Sequence, residues 1–158
     1  LVIDPGGILR RSLLMISPPA NTGLIIKKHL CNNPDTTLFS LSFNAVLRYL
    51  QAEGIEPEFT EEGDLKLAST ILPRFQPNTG AYRDADAGGY QLLLRYRSAN
   101  NAAAQVRLTD VLNDKVAPEL VRDRIVMIGY TTPQAKDDFY TPYSANKDDN
   151  QKMPGVIV

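Results

Sequence analysis

Asp137 and Asp138 are the residues whose type and placement most plainly permit chemistry. They follow a short apolar run, Ile125-Val126-Met127-Ile128, that ends in Gly129 and leads into Thr131-Thr132. A run of this kind delivers a polar loop to a surface, and loops carry function disproportionately. In an open α/β sheet, ligands bind in the crevice beyond the carboxyl ends of strands, so a site search starts at these acids. Paired carboxylates can serve as acid and base on a glycoside or hold calcium. The same pairing recurs at Glu61/Glu62 and Asp148/Asp149, although adjacent acids in loops are usually solvated. Thr131 and Thr132 offer hydroxyls at the end of the run, a position where threonines more often satisfy the local backbone.

Other chemistries are poorly supplied. The sequence holds no nucleophile elbow, no metal-binding pair of histidines and no glycine-rich phosphate loop. A single histidine, His29, cannot build a His-based metal site, and it lies in a polar excursion where an exposed or locally bonded imidazole is expected. Cys31 is the lone cysteine, which rules out an internal disulfide framework. It follows Leu30 and precedes the turn-like Asn32-Asn33-Pro34-Asp35, so it reads as a small buried hydrophobe, or else as a thiol paired outside this segment, rather than as a nucleophile. No cofactor and no metal is expected. Tyr90 and Tyr96 fall on one face of a strand, where core packing is the expectation rather than sugar stacking.

The elements that must position these groups follow from pattern. Leu1 to Ile3, the turn Asp4-Pro5-Gly6-Gly7 and a return strand from Ile8 to Ile16 predict an N-terminal β-hairpin. Residues 17 to 36 read as a polar excursion around a short apolar segment, Leu24 to Ile26. Helix-start chemistry at Pro34-Asp35-Thr36-Thr37 precedes Phe39, Phe43, Val46, Leu47 and Leu50, an apolar stripe on one helical face that Gly54 ends. Short strands are expected at Leu65 to Ala68 and Ile71 to Pro73, a long loop over Asn78 to Gly89, and further strands over Tyr90 to Tyr96 and Gln105 to Leu108. Thr109-Asp110 predicts a short helix to Asn113, and Pro118 to Val121 another turn of helix. Arg124 to Gly129 reads as a central strand buried on both faces, and Lys147 to Lys152 as an exposed loop. The sum is a mixed α/β fold: a single domain, residues 1–158, with a central mixed sheet, an N-terminal hairpin and flanking helices.

A chain of 158 residues buries roughly 68–70% of its unfolded surface and needs no staples. Its 17 basic and 18 acidic residues nearly cancel, so no field draws a polyanion and nucleic acid is excluded as an expected partner. The aliphatic runs Leu13 to Ile16 and Ile125 to Ile128 are far shorter than the roughly 20 residues that cross a bilayer. Both ends arrive in apolar sequence, Leu1-Val2-Ile3 and Gly155-Val156-Ile157-Val158, and read as cuts within a longer chain.

The order of short motifs resembles the second type of CHASE domain, the cyclase- and histidine-kinase-associated sensing extracellular module of bacterial receptors. The resemblance runs over nearly the whole chain. It rests on Asp4 with Gly6-Gly7 and Arg10-Arg11, Ser42-Phe43, Leu94-Arg95-Tyr96-Arg97 and Thr109-Asp110-Val111-Leu112. It continues through Arg124 to Thr132, Lys136 to Pro142 and Met153-Pro154-Gly155-Val156. The sequence departs from the family pattern at Gly6, which stands for an acid, and at Arg95, which stands for an asparagine. By this resemblance Asp137 and Thr141 match an acidic and a Thr-Pro position, and Arg10, Arg11 and Arg97 match the family's arginines. Arginine grips carboxylates bidentately, so Arg10, Arg11, Arg97, Thr131, Asp137 and Thr141 form the expected ligand-binding set. The competing reading makes the same charged groups a structural ion network.

What the resemblance implies is a noncatalytic, extracytoplasmic head of a membrane-embedded receptor. Its output would be a nucleotide cyclase, a histidine kinase or a serine/threonine kinase, and its partner a small-molecule or protein signal, with dimerisation of the receptor. The segment from Met153 onward would lead toward the membrane and act as the lever. Two other readings stand beside it: a secreted or periplasmic hydrolase using Asp137 and Asp138, and a purely structural scaffold.

Overall fold

The structure is a computed structural model that describes residues 2–18, 35–99, 103–144 and 151–158. The apolar segment Leu24 to Ile26, His29, Cys31 and the loop residues 147–150 lie outside the described residues. Strands and helices are mixed along the chain, as the sequence predicts. The chain separates into two compact units, one of Leu1–Val2 with Arg11–Leu93, the other of Ile3–Arg10 with Leu94–Val158.

The first unit is organised on β2 (Leu9–Ile16), of which residues Arg11 onward belong to it. β2 pairs antiparallel with β3 (Leu38–Phe39), Met15 opposite Phe39, and on its other edge with β7 (Tyr90–Leu93), Arg11 opposite Leu93. The register on β7 shifts between Leu13 and Met15. Side chains alternate faces along a strand, so an extra residue reverses the phase. Hence burial passes from Leu9 and Arg11, both odd, to Leu14.

Because Leu38 and Phe39 spend their backbone groups on β2, the helix starts at Ser40, later than the Asp35-Thr36-Thr37 expectation. In α1 (Leu41–Ala52) the Ser40 hydroxyl accepts from the Phe43 amide at 3.2 Å and caps the first turn. Gly54, at φ 72°, ends it where the sequence expects. The Gly54 amide donates to the Gln51 carbonyl and the Ile55 amide to that of Leu50, closing the paired bonds of a glycine C-terminal motif. Of the apolar stripe, Phe43 is buried and Leu47 packs on the core, whereas Val46 is exposed.

β4 (Pro57–Phe59), β5 (Leu65–Leu67) and β6 (Thr70–Leu72) form a second antiparallel sheet. The core of the unit comprises Leu14, Phe43, Leu65 and Tyr90, each burial of such a side chain being worth about 1.5–3 kcal/mol. Tyr90 does more than fill space. Its hydroxyl accepts from the Leu65 amide and donates to the Leu72 carbonyl at 2.7 Å, joining β7 to the second sheet.

In the second unit, the Asp4 to Gly7 turn forms as expected, with the Gly7 amide donating to the Asp4 carbonyl at 2.7 Å and Gly7 at φ 77°. β1 (Val2–Ile3), divided between the units, pairs with β2 across it. α2 (Leu108–Leu112) and a 3-10 turn at Pro118–Leu120 form near their predicted places. β8 (Asp138–Phe139) pairs antiparallel with β9 (Met153–Pro154).

Two expected strands do not form. Gln105 to Arg107 is irregular and exposed, and α2 begins at Leu108. Arg124 to Gly129, expected as a buried central strand, has no strand partner among the described residues and is exposed throughout, Ile128 to 92%. A strand buried on both faces needs neighbours on both edges, and here none is supplied. Instead of one central sheet, the described residues hold three small ones.

Candidate functional site

Of the six residues expected to bind ligand, Arg11 alone lies in the first unit; Arg10, Arg97, Thr131, Asp137 and Thr141 lie in the second. Arg10 and Arg11 are neighbours in an extended strand, where successive side chains take opposite faces. That alternation gives them different surroundings.

Arg11 is buried. Its guanidinium donates to the Asp86 carbonyl at 2.7 Å and to the Gln91 amide oxygen at 2.9 Å, and lies 4.9 Å from the Phe75 ring centre and 5.4 Å from that of Tyr82. Those rings meet edge to face at 4.9 Å. Gln91, also buried, donates to the carbonyls of Asp86 and Gly88. The glycine- and aspartate-rich loop before β7 is therefore wrapped on Arg11. Planar guanidinium stacking and carbonyl bonding suit an internal brace, not a group waiting for solvent-borne ligand.

Arg10 is partly exposed, and it pairs with the buried carboxylate of Asp4 at 3.2 Å. The Tyr96 hydroxyl donates to the Leu9 carbonyl at 2.8 Å and its ring meets that of Tyr143 edge to face. Burial pushes the Tyr96 phenol up to about 12, with the nearby Arg10 charge opposing the rise. The Leu9 amide donates to the Tyr140 carbonyl at 2.8 Å, placing the segment before Thr141 beside the return strand of the hairpin.

Thr141 is fully buried. Its amide donates to the Ser144 hydroxyl and its carbonyl accepts from the Ser144 amide, while its hydroxyl accepts from the Tyr143 amide. In this arrangement Thr141 shapes a turn. Ser144 in turn donates to the Gln151 carbonyl at 2.7 Å, tying the turn to the final segment.

Asp137 is exposed, and its carbonyl accepts from the Gly155 amide at 2.8 Å. A Cβ at Gly155 would stand 2.6 Å from Asp137 Oδ1, so the carboxylate lies directly on the glycine. Asp138 pairs with Lys152 at 3.7 Å, and the Lys152 ammonium sits 4.9 Å from the Tyr140 ring centre. Arg97 and Thr131 are exposed, and their side chains make no hydrogen bond or ion pair with the described residues. The structure thus joins Arg10 with Asp4 and Tyr96, and Asp137 with Gly155, while Arg11 stands in a separate cluster.

Sequence reasoning missed the Arg11 brace and the Asp138–Lys152 pair. The odd-numbered alternation of Leu9 and Arg11 was the available signal for the first. Among the described residues, no group of three or more His, Cys, Asp or Glu is placed to hold a metal ion, and no helix is long and apolar enough to cross a membrane.

The family model of the CHASE2 domain matches residues 1–158. No curated protein and no solved structure matches the chain at a significant level.

Proposed function

Because the chain belongs to the CHASE2 domain family, a family of extracellular sensing domains rather than catalysts, we propose that it is the extracytoplasmic head of a bacterial transmembrane receptor. The receptor's output is a nucleotide cyclase, a histidine kinase or a serine/threonine kinase. The observation that carries this reading is the extent of the family match, which covers the whole chain.

The groups proposed to meet the signal are the exposed or half-exposed polar side chains of the second unit: Arg10, Arg97, Thr131 and Asp137. Arg10 is held by Asp4 and so is presented in a fixed direction at low entropic cost. Thr141, fully buried in the same unit, supports the reading as a brace of its turn, while Arg11 braces the first unit. A signal acts only by binding one of two conformations more tightly and shifting their populations. The contact between the Asp137 carboxylate and Gly155 gives a route, because displacing that carboxylate displaces the segment from Met153 onward. In the intact receptor this module works as a dimer.

Asp137→Ala in the full-length protein tests the route. Signal-dependent output falls about fivefold or more, the lower end of ordinary coupling between sites. Wild-type output together with a wild-type melting temperature would remove Asp137 from the mechanism.

A further inference from the structure

We propose that a cleft of about 330 Å³ on the first unit binds a small monocarboxylate with a short apolar body, its charge met by Arg74. None of the six residues discussed above lines this cleft. The inference therefore goes beyond the sensing reading and does not need it.

The lining divides by chemistry. Met15 and Ile16 supply apolar groups beside Tyr90, Ser17 and Thr37 supply hydroxyls, and Arg74 supplies the charge. Small-molecule sites set a few placed polar groups in an apolar wall, in volumes of roughly 300–1,000 Å³; here polar and apolar surface are about equally represented. The Ser17 and Thr37 hydroxyls lie 3.2 Å apart, so one donates to the other and the accepting hydroxyl keeps its own proton for a further acceptor.

Arg74 is the group that gives the cleft its preference. It lines the cleft together with Tyr90, and one of its nitrogens lies 3.5 Å from the Ala87 carbonyl, two residues before Gly89 in the lining. It has no carboxylate side-chain partner among the described residues, since Asp64 accepts from its backbone amide rather than from its guanidinium. A guanidinium left with open donors beside an apolar wall and a free hydroxyl proton matches a carboxylate whose tail is apolar. The Asp64 carboxylate lies 2.9 Å from the Arg74 amide, so a negative charge stands beside the same residue. That charge repels a second anionic group on the ligand and selects monoanions over dianions.

Gly89 keeps the wall in place. It holds φ 69°, and a Cβ there would fall 2.8 Å from the Met15 carbonyl and 3.2 Å from Ile16 Cβ. The loop therefore closes directly on β2, and the cleft's two sides come from two strands fixed by their own pairing.

Isothermal titration calorimetry on the domain alone tests the proposal, with pentanoate, pentanamide and succinate as probes. The wild-type domain binds pentanoate, and binds both pentanamide and succinate about tenfold more weakly or not at all. Arg74→Gln weakens pentanoate binding about tenfold, whereas Arg83→Gln, an arginine outside the lining, leaves it unchanged. Equal binding of pentanoate and pentanamide, or no pentanoate binding up to about 10 mM, overturns the proposal. So does wild-type affinity in Arg74→Gln. The comparison of probes uses only the wild-type chain, so it decides the matter even if a variant fails to fold. Because binding is read without any output, a negative result here leaves the sensing reading untouched.

Discussion

Tyr96 shows how one side chain reports on its neighbourhood. Burial raises its phenol from 10.0 to about 12, which means that the folded state favours the neutral ring. A group whose folded pKa is raised contributes stability that is complete below the unfolded value and disappears as pH climbs through the folded one. Stability should therefore fall between pH 10 and about 12, and the Tyr96→Phe variant should fall less steeply across that window. Thermal melts in a pH series check this. Tyr90, also raised by burial, keeps some of the slope in the variant. At neutral pH, losing the bond to the Leu9 carbonyl costs Tyr96→Phe about 0.5–1.5 kcal/mol. At this scale the sequence was half legible. Composition and motif order pointed to Arg10 and Arg11 together, but their surroundings differ in origin: Arg11 meets Gln91, far along the chain, whereas Arg10 meets Asp4 within its own turn. Arg11's brace includes a backbone carbonyl, a side-chain amide oxygen and two aromatic rings, which no residue spacing announces.

Elements were legible where the signal is local. The first hairpin turn, the end of α1 at Gly54 and the strands at Leu65 and Ile71 all rest on turn or capping chemistry within a few residues. Elements that depend on a distant partner were not. Arg124 to Gly129 has the composition of a buried strand, yet an apolar run becomes a strand only where another backbone meets it. β3, two residues long, displaced the helix start for the converse reason. Gly89 makes the dependence testable. Alanine there combines a left-handed backbone with a Cβ pressed against the Met15 carbonyl, and should cost about 2–4 kcal/mol. Urea unfolding measures it: a midpoint within error of wild type would mean that the loop is not seated on β2 as described.

For the whole molecule, near-neutral charge and a mixed pattern of strands and helices were readable from composition and periodicity. The family followed from the order of seven weak motifs rather than from any one of them, and the match over residues 1–158 agrees with it. The division into two units was not readable, because it cuts through β2 between Arg10 and Arg11, with no glycine, proline or change of composition to mark it.

The exposed run from Ile125 to Tyr130 bears on how the chain stays in solution. Its peptide groups make no hydrogen bond with the described residues, and exposed aliphatic side chains stand along it, the combination that on a strand edge favours association between chains. The charged triplet Arg122-Asp123-Arg124 guards only its upstream end. Ile128, the most open side chain of the run, is where a lysine should raise the solubility limit without disturbing either interior, as turbidity against concentration would record.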